Sequence, residues 1–386
     1  MEFDLYLTCP RGLEKHCLDE LSSIGITDVQ IDKGGLFLKG DLSIIYKINY
    51  QSRLGMQLLV KIGHFNVVNE ESLYKSIYSI EWTKYLTYIQ TFSVKVRTRQ
   101  SWVKNTQFAA LKVKDAIVDR LRDYSGRRAS VDTKTPDLPI DIFIDKDVCM
   151  VYLNSSGDPL FKRGYRNKIH KAAINETLAA GLIALSGWDP KFPLFDPMCG
   201  SGTMLIEAAL KTYNIPPRIN RKRYAFMRWL NYDKFLWNQI TDDCQNKISL
   251  DSSVIINGSD LLDENIELAL ETARNLNIQN MIKFKACNIK LFRPLTKKHG
   301  YIITNPPYGE RIGGNEEDLE NLFQLMNEIF VKYCIGFKLF IISPDSIFMN
   351  QISINKSSSL PIKNGKLNCL FSEYHIDKIN IINKNA

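Results

Sequence analysis

What this chain lacks excludes several classes of protein. No run approaches the ~18 consecutive apolar residues of a membrane span, so an integral helical membrane protein is excluded and no membrane partner is expected. Met1-Glu2-Phe3-Asp4 does not open a secretory signal. The eight cysteines stand singly, with no Cys-x-x-Cys pair, which suggests neither a zinc site nor a disulfide framework. They read as buried apolar side chains in a reducing cytoplasm, where the protein is expected to reside. The five histidines are too scattered to form a ligand cluster, so no metal is expected. The chain's Gly-rich turn has no Gly-Lys-Ser/Thr after it, unlike a P-loop, and lacks the third glycine of the dinucleotide fingerprint.

What is present is an ordinary globular composition, 45% hydrophobic with a net charge of +8, over 386 residues. That length exceeds what one core holds, so two or more domains are expected. The most informative local signal is Asn305-Pro306-Pro307-Tyr308, directly after the apolar run Tyr301-Ile302-Ile303-Thr304. Chemistry on an exocyclic or amide-type nitrogen needs an oxygen to accept its hydrogen, a stiff backbone and a flat support. Asn305 offers a side-chain oxygen and Pro306 a backbone oxygen. Two prolines fix φ, and Tyr308 offers an aromatic face. Taken alone, the four residues also fit a Pro-rich turn that closes a strand.

Upstream stands Asp196-Pro197-Met198-Cys199-Gly200-Ser201-Gly202-Thr203, between Leu194-Phe195 and a helical run at 204–210. Strand, Gly-rich turn and helix bring a ligand to the carboxyl end of a sheet. A glycine turn opened by a carboxylate suits a ligand with a charged amine and no phosphate, and S-adenosylmethionine is such a ligand. Gly200 and Gly202 would admit its close approach, and Asp196 would face its ammonium group. A tight turn without ligand is the alternative. Residues 254–260 read as a buried strand ending in Asp260, placed to take both ribose hydroxyls or to serve the next helix as a cap. A further strand at 281–287 ends at Asn288, where an adenine amino group would be recognised. Cys199 reads as a small packing residue rather than a nucleophile.

With these elements in this order, residues 160–375 resemble the catalytic domain of bacterial THUMP-domain RNA methyltransferases, in particular those that methylate N2 of a guanine in large-subunit rRNA. The resemblance is carried by Lys162-Arg163-Gly164-Tyr165-Arg166, Asn175-Glu176-Thr177-Leu178-Ala179-Ala180-Gly181, residues 196–209, Gly258-Ser259-Asp260, residues 304–311 and a closing hairpin at 363–369. Ala173 stands where the family often has proline, and Asn288 where many methyltransferases have Asp. The resemblance implies an α/β fold: a Rossmann-like class I methyltransferase domain at 159–386 with a mainly parallel seven-stranded sheet. A ferredoxin-like piece at 1–50 and a THUMP-like RNA-binding domain at 51–158 precede it. It also implies cofactor contacts from Met198, Cys199, Ser201, Thr203 and Leu261. The chain stops soon after the hairpin, so one activity is expected, with no second methyltransferase domain; a monomer is expected separately.

The charge is uneven. Residues 92–128 hold ten Lys or Arg against three acids. Phe92, Val94 and Val96 alternate with Ser93, Lys95, Arg97 and Arg99, so a strand with one buried face carries a cationic row on the other. A helix at 107–124 would pack beside it. This pair reads as a phosphate-tracking surface or as a solvated charged face. Arg163 and Arg166 fit either an RNA phosphate clamp or pairing with acids. An insertion at 213–250 mixes Arg221 and Arg223 with Tyr, Phe and Trp, as single-stranded RNA binding requires. Its Trp residues also suit a lid over the cofactor. Residues 355–360 read as an exposed loop.

The expected activity is transfer of a methyl group from S-adenosylmethionine to the exocyclic N2 of a guanine in 23S rRNA. Asn305, Pro306, Pro307 and Tyr308 would form the catalytic turn, with no metal. A tRNA guanine, adenine N6 and protein glutamine remain alternatives on the same motif, as does a non-catalytic RNA-binding assembly factor.

Overall fold

The structure, a computed structural model, describes residues 2–166, 174–250, 253–294, 296, 299–307, 316–344, 351–365 and 367–377. Tyr308, residues 309–311, Ala173, Lys366 and the tail at 378–386 therefore lie outside the described residues. The chain divides into two compact units, one of residues 1–10, 17–162 and 222–243, the other of 11–16, 163–221 and 244–386.

In the first unit the order is β1 (Phe3–Thr8), α1 (Glu14–Ser23), β2 (Val29–Asp32), β3 (Gly35–Gly40), α2 (Leu42–Gln51), β4 (Gln57–Asn66) and α3 (Glu70–Ser79). It continues through β5 (Thr91–Arg99), α4 (Thr106–Ser125), β6 (Ser130–Val131), β7 (Leu138–Asp145) and β8 (Val148–Asn154). The strands form one eight-stranded sheet, β2-β3-β1-β4-β8-β7-β5-β6. Register places Leu5 beside Leu38 and Val60, Val60 beside Leu153, and Leu153 beside Ile140, so one face is apolar and buried. The other face carries Phe37, Lys39, Lys95 and Arg99, all exposed. This is the alternation expected of a sheet clad on one side. Ser155 and Ser156, just after β8, are fully buried and bonded to Asn49 at 2.9 and 2.7 Å. These two serines thus form a polar knot inside this unit.

The second unit runs α5 (Glu176–Leu185), β9 (Leu194–Asp196), α6 (Thr203–Thr212), then α7 (Lys234–Gln245), most of which belongs to the first unit. There follow β10 (Ile256–Asp260), α8 (Asp263–Asn275), β11 (Lys283–Ala286), β12 (Tyr301–Thr304), α9 (Glu316–Tyr333), β13 (Lys338–Pro344), β14 (Lys356–Asn364) and β15 (Leu367–His375). Its seven-stranded sheet has the order β11-β10-β9-β12-β13-β15-β14, parallel from β11 to β13 and antiparallel over the closing hairpin. Alternate residues of β12 and β13 enter two separate cores: Ile303 and Ile342 one, Ile302 and Ile341 the other. Burial on both faces explains why Tyr301-Ile302-Ile303-Thr304 is a continuous buried run.

Two expectations are corrected. Residues 356–360 are not a loop but the start of β14; its serines are tolerated because an edge strand faces solvent and pairs only with β15. Of the insertion's Trp residues, Trp237 packs inside the first unit rather than serving as a lid. Phe226 and Trp237 stack on or edge against Tyr46, and Trp237 also meets Tyr50, both on α2. Such ring clusters bury large apolar area at centroid separations of 4.6–5.8 Å.

Candidate active site

The Gly-rich turn follows β9 and opens α6. Gly200 and Gly202 take positive φ, 53° and 74°, which only glycine adopts without strain. The two differ in what surrounds them. A Cβ on Gly202 would meet Phe284 at 2.7 Å, so this position is needed for packing, whereas Gly200 has open space around it. Asp196 is buried, and its Oδ1 accepts from Thr304 Oγ1 at 2.8 Å and from the Met198 amide at 3.1 Å. Burial pushes its carboxyl up to about 7, and the nearby Asp260 charge adds to the rise. The Cys199 thiol is pushed well above its ordinary value by burial, which makes it a poor nucleophile.

Asp260 ends β10 and braces the turn: Oδ2 accepts from the Gly200 amide at 2.9 Å, and Oδ1 from Leu262 N and Asn265 Nδ2 at 3.0 and 2.9 Å. Asn288 caps a short 3-10 turn, its Oδ1 accepting from Lys290 N at 2.9 Å. These side chains share the wall of a cavity of about 490 Å³. Of the residues singled out in the sequence, Asp196, Met198, Cys199, Gly200, Ser201, Thr203, Asp260, Leu261, Asn288, Asn305 and Pro307 line it. Gly202 and Pro306 do not, Pro306 being buried in the turn after β12. Ile174, Asn265, Asp318, Leu322 and Leu325 also line the wall and stood in none of the motifs. Leu322 and Leu325, three apart on α9, are the one pair a helical pattern points to.

The Asn305 side-chain oxygen is the anomaly of the site. It is buried and, among the described residues, has no hydrogen-bond donor. Leaving a buried acceptor unmatched costs about 1–3 kcal/mol, and such atoms call for an explanation. A ligand amine in the adjoining cavity supplies one.

The predicted RNA contacts fare differently. Arg163 is 1% exposed and pairs with Glu207 of α6 at 3.4 Å, with the Tyr165 hydroxyl on the same carboxylate at 2.9 Å. Of its two readings, pairing with an acid is the one observed, because no phosphate reaches a guanidinium inside the core. Arg166 bonds Thr203 Oγ1 and pairs with Glu176 at 3.4 Å, tying the start of α6 to the start of α5. In the first unit the cationic row is largely matched: Arg97 pairs with Asp141 at 3.2 Å and Arg99 with Asp145, both on the neighbouring β7. Lys95 is exposed. Arg223 is exposed and donates to the Thr135 carbonyl at 3.0 Å, and Arg221 is half-buried.

A five-strand parallel core with an antiparallel hairpin, a Gly-rich turn after its central strand and an acid after the next strand define a class I, S-adenosylmethionine-dependent methyltransferase. The cavity fits that cofactor: carboxylates for its ammonium group and hydroxyls, open backbone at Gly200, and apolar Leu261 and Ile289 for a flat ring. Residues 163–373 match the RMKL-like methyltransferase domain, 67–154 the THUMP domain and 4–58 the RlmL ferredoxin-like domain. The chain belongs to this THUMP-containing, RMKL-like methyltransferase family. It is 33% identical to a Synechocystis protein named provisionally as an RNA methyltransferase, over 96% of both chains. It is also 33% identical to the ribosomal RNA large subunit methyltransferase K/L of Shewanella, over 96% of this chain but 53% of that one, about half the relative's length. Among solved structures, a provisionally named methyltransferase complexed with SAH aligns with a TM-score of 0.87 at 30% identity, covering 98% of this chain and 99% of that one. A Listeria monocytogenes protein, named by prediction as an N6-adenine-specific DNA methylase, aligns at 0.86 and 27% identity over 97% of both. Among the described residues, no helix is long and apolar enough to cross a membrane.

Proposed function

We propose that this protein methylates the exocyclic N2 of a guanine in large-subunit ribosomal RNA. The observation that carries the proposal is the unmatched, buried Asn305 oxygen on the wall shared with the Gly-rich turn. S-adenosylmethionine supplies an electrophilic methyl group on a sulfonium. Asp196 and Asp260 hold its ammonium and ribose ends, and Asn288 the adenine. A guanine amine is a weak nucleophile because its lone pair is delocalised into the ring. Asn305 Oδ1 accepts one amino hydrogen, and the Pro306 carbonyl is assigned the other. The two acceptors favour positive charge building on nitrogen and orient its lone pair, a contribution of position and electrostatics. The base leaves its stack to reach the turn, and Tyr308 is assigned the supporting face on sequence grounds. The THUMP match and the relatives' names favour RNA.

A second reading, adenine N6 in DNA, is favoured by the name of the Listeria structure and by the shared Asn-Pro-Pro-Tyr turn. Nucleoside mass spectrometry separates the two. Large-subunit rRNA from cells lacking the protein should miss one N2-methylguanosine, and purified enzyme with labelled S-adenosylmethionine should restore it. An unchanged rRNA profile together with N6-methyladenine formed in DNA would install the second reading.

A further inference from the structure

One side-chain hydrogen bond joins the cofactor turn to the acceptor turn. Thr304, the last residue of β12, is fully buried, and its hydroxyl donates to Asp196 Oδ1 at 2.8 Å. β9 and β12 are neighbouring parallel strands, and β9 continues on its other side to β10, so this bond spans the point where strand order reverses. Asp196 begins the Gly-rich turn, and Thr304 is linked through its own peptide to Asn305, the residue with the unmatched acceptor. A valine would fill the same volume, so packing alone does not ask for a hydroxyl there.

We infer that Thr304 is a positioning residue whose hydroxyl keeps the Asp196 carboxylate ionised and directed at the cofactor, and fixes the Asn305 turn against it. This rests on the functional reading above. A carboxylate in a dry site is disfavoured in its charged form, and each donor to it lowers that cost. Two donors act here, the Thr304 hydroxyl and the Met198 amide. Against them stand burial and the Asp260 charge from the end of β10, while the Cys199 thiol in the turn stays neutral. With the carboxyl poised at about 7, loss of one donor moves its ionisation out of the neutral range.

The test compares the full chain with Thr304→Val and Thr304→Ser. S-adenosylmethionine and S-adenosylhomocysteine are titrated calorimetrically between pH 6 and 8.5, and the fold of each variant is checked by thermal unfolding. In the wild type, affinity should rise with pH through a midpoint near 7. In the valine variant that midpoint should move up by about one unit, weakening binding about fivefold at neutral pH and less at pH 8.5. The ligand's own amine titrates in all three proteins and cancels in their ratio. Serine should restore the wild-type profile. At saturating cofactor, the valine variant's kcat should fall about tenfold with KM for RNA nearly unchanged, because the Asn305 turn is no longer held. Superimposable wild-type and valine profiles, or a serine variant as weak as valine, overturn the inference alone. Failure of the wild type to bind either ligand at any pH overturns the functional reading and the inference with it.

Discussion

The two sheets manage polar side chains in opposite ways. In the eight-stranded sheet, charges stand mid-strand on the face away from the apolar core, and the adjacent strand offers Arg99 an acid directly opposite and Arg97 one on the diagonal. In the seven-stranded sheet the mid-strand positions of β9, β12 and β13 are buried and apolar, and polar groups gather at the carboxyl ends, at Asp196, Asp260, Thr304 and Asn305. A sheet with an open face can pair or hydrate a charge anywhere along its length. One buried on both faces can do so only where its strands end. Matched charge in this protein therefore marks architecture, and at the strand ends Asn305 Oδ1 stands on the cavity wall as an unmatched acceptor.

The sharpest way to break the contrast is to strip one partner from an interior pair. Glu207→Ala leaves the Arg163 guanidinium charged and without its carboxylate in the core. The methyltransferase unit should lose about 3–5 kcal/mol, read as an earlier unfolding transition in urea. A loss below 1 kcal/mol would mean that this pair is not structural.

Asn305→Ala should do the reverse, sparing stability while lowering kcat by about 10²- to 10³-fold, with calorimetric cofactor affinity within a few-fold. Full activity in this variant would remove the distinction between matched and unmatched groups.

Asp196 tests the middle ground, a strand-end charge with donors that still resists ionisation. Its folded value of about 7 lies above the ordinary 3.8. The fold thus binds this proton more tightly than the unfolded chain, and the stability so gained is present at low pH and lost as pH rises through 7. Asp196→Asn should be more stable than wild type at pH 8 by on the order of 4 kcal/mol and no more stable at pH 4, while binding S-adenosylmethionine more weakly. Thermal unfolding at both pH values checks the sign.

The smallest effect is expected on the cationic row. Replacing Lys95, Arg97 and Arg99 together with Ala should lower the salt slope of RNA binding by only about one rather than about three charges, because two of the three already have acids. A fall near three in titrations at several salt concentrations would show that RNA displaces those acids.

By itself the sequence determined the features that local chemistry dictates. Positive φ at Gly200 and Gly202, an acid ending β10, an apolar run buried on both faces before Asn305 and the basic strand at 91–99 are short-range demands, written in adjacent residues. Tertiary structure alone decided the partners. Arg163 fits a phosphate clamp or an acid pair equally until α6 brings Glu207 to it, and Arg97 reads as free until β7 lies alongside. Trp237 reads as a lid until α2 presents Tyr46 and Tyr50, and Thr304 reads as the plain end of a strand until β9 sets Asp196 within 2.8 Å. The periodicity of a chain reports which face of an element is dry. It carries no record of which distant residue that face will meet, and a buried charge or hydroxyl takes its meaning from that meeting.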